Sequence, residues 1–128
     1  MLQAVKASRG MVSASHHLAS QAGLQILREG GNAIEAVVAA AATISVVYPH
    51  MNGLGGDGFW LVSEPNRRVP IAISAIGAAG MAVDEDLYRR QGLEVVPPRG
   101  ALAANTVVGT VSGWSAALQI SAEWGGKL

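Results

Sequence analysis

The chain is 128 residues long, which is enough for one small domain with a core but too short for two. Half of its residues are apolar and only 14% are charged, with nine basic and nine acidic side chains and no net charge. This balance argues against a nucleic-acid or membrane-surface binder, so neither is an expected partner. Cysteine is absent, which excludes a disulfide framework, thiolate catalysis and a cysteine-based zinc site.

The beginning of the chain lacks the pattern of a secretory leader. Lys6 and Arg9 are not followed by a continuous apolar core before Met11, so the cytoplasm is the expected location if Met1 is the natural start. The longest apolar stretch, within residues 36–47, falls short of the roughly 20 apolar residues that a membrane-spanning helix needs. It predicts a buried helix instead.

The first half of the chain predicts a short strand, at 11–15, and then a pair of helices. The first helix ends at the glycine pair 30–31, as glycine often ends helices. Asn32 is predicted to cap the second helix, with Glu35 completing a capping box. This helix runs to about Val47 and is apolar almost all round, so it needs neighbours on more than one side. The apolar positions that recur at helical spacing in the first helix are Ala19, Ala22 and Ile26.

The second half predicts a hairpin followed by two helices. A glycine-dense run at 53–58 leads into a strand at 59–62, and the partner strand is expected at 69–73. A short helix capped by Asp84 follows, and a last helix starts near Thr110. Helices that alternate with a hairpin predict an α/β (α+β) fold in which helices cover a sheet. One face of the last helix is predicted to carry Trp114, Leu118 and Ala122.

The glycine-dense run also satisfies a spacing found in dinucleotide-binding sites. Gly53, Gly55 and Gly58 fit the pattern G-x-G-x-x-G. In a dinucleotide site a strand precedes the glycines and a helix follows, so that the helix N-terminus faces the pyrophosphate. Here the predicted order is the reverse. The glycines are therefore interpreted as points where the backbone bends or approaches another segment, and no cofactor is predicted.

Other chemically active side chains do not form a recognisable site. His16 and His17 are adjacent and His50 is distant, which is not the spacing that puts two imidazoles on one helix face, so no metal site is predicted. The acidic residues at 84–86 lie at a predicted helix start, where interaction with the helix dipole explains them. No serine or threonine belongs to a local nucleophile motif such as G-x-S-x-G.

An ordered series of motifs resembles the beginning of the γ-glutamyltransferases. A later stretch, V-G-T-V-S-G at 108–113, is similar to the family's Pro-Gly-Thr-Val-x-Gly, with Val108 in place of the proline. The resemblance covers nearly the entire chain. In chain order the earlier motifs are G-M-V at 10–12, A-S-Q-A-G at 19–23, L-R-E-G-G-N-A at 27–33, P-H at 49–50 and G-L-G-G-D-G-F at 53–59.

This resemblance implies an N-terminal-nucleophile hydrolase. Members of the family are made as one precursor that cuts itself into a large and a small subunit, folded together as a four-layer αββα sandwich. The N-terminal threonine of the small subunit is the nucleophile, and its own α-amine is the base. Residues 1–128 would then be one incomplete domain at the start of the large subunit. The catalytic residues would lie outside this chain, so the isolated chain is expected to be inactive.

The same resemblance implies three partners and one site position. The partners are the remainder of the large subunit, the small subunit of the same precursor and a small-molecule amide substrate. The site position is that of a family arginine, which follows the second hairpin strand and grips the substrate's α-carboxylate. Counting back from Tyr88 places it at Ile76, in S-A-I-G-A-A-G at 74–80. Isoleucine cannot offer the bidentate fork of a guanidinium, whose charge-assisted contacts contribute roughly 1.5–3 kcal/mol each.

The isoleucine favours an amidohydrolase that accepts a small acid amide of the oxamate type. Cephalosporin side-chain acylation is a second possibility within the family. An ordinary γ-glutamyltransferase or glutathione hydrolase that recruits its arginine from elsewhere is the alternative enzyme. A non-catalytic scaffold, in which this segment only packs, is the alternative from another class.

Overall fold

The computed structural model describes residues 4–127, which form four helices and one antiparallel hairpin. Helix α2 contacts both α1 and α4, and α4 also contacts the two strands of the hairpin. The α+β class and the covering of the sheet by a helix were therefore predicted correctly. The elements in chain order are α1 (His17–Arg28), α2 (Ala33–Val47), β1 (Gly58–Val62), β2 (Ile71–Ala75), α3 (Glu85–Arg90) and α4 (Thr110–Glu123).

The turn between α1 and α2 is built as the sequence predicts. Gly30 adopts the left-handed conformation, with φ of +86°, in which a side chain is disfavoured. The Asn32 side chain accepts hydrogen bonds from the backbone N–H groups of Ile34 and Glu35, at 3.0 and 3.1 Å. The Glu35 carboxylate accepts one from the backbone N–H of Asn32 at 2.7 Å, which completes the capping box.

The strand predicted at 11–15 is wrong, because these residues form no regular structure. A strand is held by hydrogen bonds to a partner strand, and within residues 4–127 the two strands present pair with each other. The residues lead instead into the start of α1. There the Nδ1 atom of His16 accepts a hydrogen bond from the N–H of Leu18 at 3.3 Å and caps the helix.

The hairpin lies close to its predicted position, but its second strand is displaced by two residues. It runs from Ile71 to Ala75 and not from 69 to 73. Pro70 immediately precedes it and has no N–H to donate to the ladder, so pairing starts after the proline. Gly58 pairs with Ala75 at one end of the hairpin, and Val62 pairs with Ile71 at the other.

Helix α4 buries a different face from the one that its large apolar residues suggest. The predicted face is half-buried at Trp114 and Leu118 and exposed at Ala122. The buried face is offset by one residue and consists of small side chains, because only these allow the helix to approach the hairpin closely. A Cβ on Gly113, for example, would lie 2.7 Å from the Cβ of Ala75. The buried residues of α4 are Thr110, Gly113, Ala117 and Ser121.

The core lies between α2, α4 and the hairpin. Its buried apolar centre is formed by Ile34, Val62 and Ala117, one from each of these elements. Helix α2 has the two helical neighbours that its apolar composition requires, although Val46 remains 76% exposed. None of the helices within residues 4–127 has the length and apolar character needed to cross a membrane.

Candidate functional site

Two motifs that lie far apart in the sequence meet at the beginning of α4. The carbonyl oxygen of Gly56, in the glycine-dense run, accepts hydrogen bonds from the backbone N–H groups of Gly109 and Thr110, both at 3.0 Å. It also accepts one from the Thr110 hydroxyl at 2.8 Å. The glycine-dense run is therefore anchored to the first turn of α4, and α2 precedes it while β1 follows it. This order of elements is the one that argued against a dinucleotide site.

The segment that follows β2 is clamped against the same place. The Oδ1 atom of Asp57 accepts a hydrogen bond from the backbone N–H of Gly77 at 3.1 Å. A Cβ on Gly77 would overlap the carbonyl oxygen of Val107, and one on Gly109 would overlap that of Ala75. Both glycines are thus required by close backbone approach. The interpretation that Gly53, Gly55 and Gly58 mark points of close approach is not met in the same way, because a Cβ on any of these three would lie 3.7 Å or more from its nearest neighbour.

Ile76, the predicted substrate-contacting position, lies at this junction, directly after β2. Its side chain is 59% exposed although it is large and apolar. Its two chain neighbours are held in place, since Ala75 pairs with Gly58 and Gly77 bonds to Asp57. The assignment of Ile76 to a substrate pocket stays a prediction, but the backbone that carries it is well anchored.

A cavity of about 220 Å³ opens between α2, the glycine-dense run, β1 and the start of α4. Asp57 is the single charged residue among the described residues that line it. Apolar and aromatic groups dominate the remainder of the wall, including Phe59, Trp60 and Trp114. Ile76 is not a lining residue. The cavity therefore offers one carboxylate and several ring surfaces, and no basic side chain, to a small molecule.

Sequence reasoning identified the glycine-dense run and Ile76 separately but missed the bond that joins them. Asp57 is the one ionisable side chain within residues 53–58, and this is the feature of the sequence that could have drawn attention to it. Its partner, Gly77, is 20 residues away, and nothing local indicates that pairing. The motif at 108–113 was found through the family resemblance, and the structure brings it against the run.

Folding also brings the histidines closer than their spacing suggests. The rings of His16 and His17 are stacked with centroids 4.6 Å apart, and Tyr48 lies 6.3 Å from His16 and 4.2 Å from His50. The Nδ1 atom of His16 is engaged as the cap of α1. In the described part of the chain, no three histidine or carboxylate side chains are grouped so that they could hold a metal ion.

The arrangement of helices, hairpin and clamped glycine-dense run is that of a known family. The gamma-glutamyltranspeptidase family model matches residues 19–125. The crystal structure of the γ-glutamyltranspeptidase of Helicobacter pylori superimposes with a TM-score of 0.81 and 33% sequence identity, over 92% of this chain and 34% of that one. The chain belongs to the γ-glutamyltranspeptidase family, which is the family its motifs resemble.

Two bacterial proenzymes are similar over almost the whole chain. The oxamate amidohydrolase proenzyme of Klebsiella pneumoniae subsp. pneumoniae is 60% identical over 120 residues, which is 94% of this chain. The glutathione hydrolase-like YwrD proenzyme of Bacillus subtilis is 44% identical over 119 residues, or 93% of this chain. The chain spans only 22% of the length of each of these relatives.

Proposed function

We propose that this chain is the amino-terminal part of the large subunit of a self-processing amidohydrolase that cleaves the amide bond of a small acid of the oxamate type. The observation that carries the proposal is Ile76, an apolar side chain on an anchored backbone at the position where the family resemblance expects an arginine. The 60% identity to a relative named as an oxamate amidohydrolase proenzyme supports the same substrate class.

The chemistry of the two substrate classes explains why one residue matters. A γ-glutamyl donor carries an α-carboxylate and an α-amine several bonds away from the amide that is cleaved, and that distal carboxylate needs a cationic partner. In oxamate the carboxylate is attached directly to the amide carbon, and there is no distal head group. Charge-assisted hydrogen bonds contribute roughly 1.5–3 kcal/mol each, so their loss at Ile76 penalises γ-glutamyl donors selectively.

In the proposed mechanism the nucleophile is an N-terminal threonine outside this chain. Its hydroxyl oxygen attacks the amide carbon while its α-amine takes the hydroxyl proton. The proton passes to the leaving nitrogen, ammonia departs and a threonine ester of the acid remains. Water then hydrolyses that ester and releases the free acid. The present chain contributes the wall of the site and part of the fold, together with the remainder of the large subunit and the small subunit.

The test uses the complete, self-processed enzyme. We compare kcat/KM for oxamate with kcat/KM for a γ-glutamyl anilide, because this ratio reports differential binding of the two transition states. The wild type is expected to prefer oxamate. The variant Ile76→Arg is expected to lower that preference by about tenfold or more, since one such contact corresponds to about that factor. The control Val95→Arg introduces the same charge at an exposed loop position and is expected to change neither constant.

The second candidate is an ordinary glutathione hydrolase, which the 44% identity to the glutathione hydrolase-like relative favours. A wild-type enzyme that strongly prefers the γ-glutamyl anilide would establish this function and reject the oxamate proposal. A full-length protein that neither cleaves itself nor turns over either substrate would instead be a scaffold.

A further inference from the structure

The side chain of Asp57 accepts a hydrogen bond from the backbone of Gly77. Gly77 lies between the end of the β1–β2 pairing and the start of a second pairing, in which Ala78 bonds to Val107. We propose that Asp57 is a positioning residue, which sets the orientation of the Ile76 segment and thereby tunes substrate binding. This inference rests on the proposed function in one respect, namely that Ile76 contributes to the substrate-facing wall.

The backbone around Ile76 changes partners within three residues. Up to Ala75 the strand β2 is paired with β1, and the ladder ends there, opposite Gly58. From Ala78 onward the chain is bonded to a different segment, since the N–H of Val107 donates to the carbonyl of Ala78 at 2.9 Å. A similar bond joins the N–H of Gly80 to the carbonyl of Asn105, also at 2.9 Å. The two residues at 76–77 lie between these pairings.

Between these two pairings, a hydrogen bond from a side chain takes the place of backbone pairing. The N–H of Gly77 donates to the Oδ1 atom of Asp57 at 3.1 Å. The carbonyl oxygen of Asp57 accepts the Thr110 hydroxyl at 3.3 Å, so this residue is itself tied to the first turn of α4. Asp57 therefore transmits the position of α4 and of the glycine-dense run to the peptide that follows Ile76.

The carboxylate fits this role because its acceptor atom, Oδ1, stands three bonds beyond the Cα atom and so reaches from the glycine-dense run to the neighbouring segment. The other residues of the run at 53–58 are four glycines and Leu54, so Asp57 supplies its one polar side chain. The bond is solvent-exposed, which means that its value lies in geometry more than in overall stability.

Three substitutions separate the placement of the acceptor atom from the charge. Asp57→Asn keeps an oxygen at the same distance and removes the charge. Asp57→Glu keeps the charge and moves the oxygen by one methylene group. Asp57→Ala removes both. If Asp57 acts by position, the asparagine variant should stay within about twofold of wild type, while the other two raise KM about tenfold with kcat changed by less than about threefold.

A matched control is available in Asp84, which also accepts a backbone N–H, from Leu87 at 2.7 Å, but at the start of α3. Asp84→Ala removes this exposed bond together with a 3.9 Å ion pair to Arg90, and it is expected to leave KM unchanged. All variants are measured as processed full-length enzyme, with the melting temperature and the processed fraction recorded. If Asp57→Ala fails to fold, the asparagine and glutamate variants still decide the question between them.

The measurements use whichever of oxamate and the γ-glutamyl anilide the wild type turns over better. A wild-type preference for the anilide would reject the proposed substrate class while leaving the comparison of Asp57 variants intact. The positioning role is overturned if Asp57→Ala and Asp57→Glu keep the wild-type KM. It is equally overturned if the glutamate variant is normal and the asparagine variant is defective, because charge would then be the operative property.

Discussion

A carboxylate from another part of the chain lies near each end of α4, and the two carboxylates have different structural roles. Near its C-terminal end, Glu35 is completely buried and accepts hydrogen bonds from the backbone N–H groups of Asn32, at 2.7 Å, and Lys127, at 2.5 Å. Beside it, the Asn32 amide donates to the hydroxyl of the buried Ser121 at 2.8 Å. Near its N-terminal end, Asp57 makes one exposed bond to Gly77. The first group joins helices to each other, and the second braces a surface segment.

The glycines beside the two carboxylates differ in the same way. A Cβ on Gly31 or Gly126 would lie 2.7 Å from a carboxylate oxygen of Glu35, so these glycines make room for a buried charge. The glycines near Asp57 make room for backbone: Gly77 lies against the carbonyl of Val107. A buried carboxylate is tolerated only when its oxygens are hydrogen-bonded within the protein, whereas an exposed carboxylate is also solvated by water and does not depend on such bonds. Three substitutions test this contrast.

The largest effect is expected for Gly77→Ala. The added methyl group would overlap the Val107 carbonyl, and neither backbone can move without breaking its neighbouring hydrogen bonds. We expect the full-length precursor to lose about 4 kcal/mol or more of unfolding free energy, and with it most of its self-processing. Gly56→Ala is the matched control, since nothing lies within 4 Å of its Cβ position. Equal soluble yield and processing for the two variants would contradict the clamp.

A smaller but still large effect is expected for Glu35→Ala. Removal of the fully buried carboxylate leaves the N–H of the half-buried Asn32 and that of the exposed Lys127 without this acceptor, and it also removes buried side-chain atoms. A buried group that loses its partner costs about 1–3 kcal/mol, and an exposed one costs less. Urea unfolding of the full-length protein should show a loss of about 2–4 kcal/mol. The exposed Glu123→Ala, at the end of α4, should change the unfolding free energy by less than about 0.5 kcal/mol. Similar midpoints for both would mean that the buried network contributes little.

The smallest effect is expected for Ser121→Ala, which removes the acceptor of the Asn32 amide but leaves the capping box intact. One neutral hydrogen bond contributes about 1 kcal/mol, so the unfolding free energy should fall by about that amount. Ser115→Ala, on the exposed side of the same helix, is the control and should be close to neutral. A loss above about 3 kcal/mol would show that Ser121 is coupled to the Glu35 carboxylate more strongly than the single bond indicates.

The parts of the fold that were predicted correctly depend on interactions between residues close in sequence. The capping box joins Asn32 to Glu35, three residues apart, and the cap of α3 joins Asp84 to Leu87 at the same spacing. Gly30 ends α1 in the left-handed conformation, which glycine adopts readily because it has no Cβ atom. Such interactions form wherever the local residues occur, so they can be predicted without knowledge of the remaining chain.

One prediction that failed, and one feature of the fold that was not predicted, both depend on partners more distant in the chain. The segment 11–15 has strand-like residues but no strand to pair with among residues 4–127. The buried face of α4 is chosen by the hairpin, which requires small residues such as Gly113 at the contact and leaves the bulkier Trp114 half-buried. Apolar periodicity reports which side chains prefer burial, but it does not report how closely the neighbouring backbone must approach.

The sequence by itself determined the helices, the caps of α2 and α3 and the family, because capping and motif spacing are properties of short stretches of chain. Only the tertiary structure decided that Asp57 bonds to Gly77 and that Asn32 bonds to Ser121, 89 residues away. Both bonds depend on where α4 lies relative to the glycine-dense run and to the α1–α2 turn. That placement results from the packing of Ile34, Val62 and Ala117 in one core, and no local pattern encodes it.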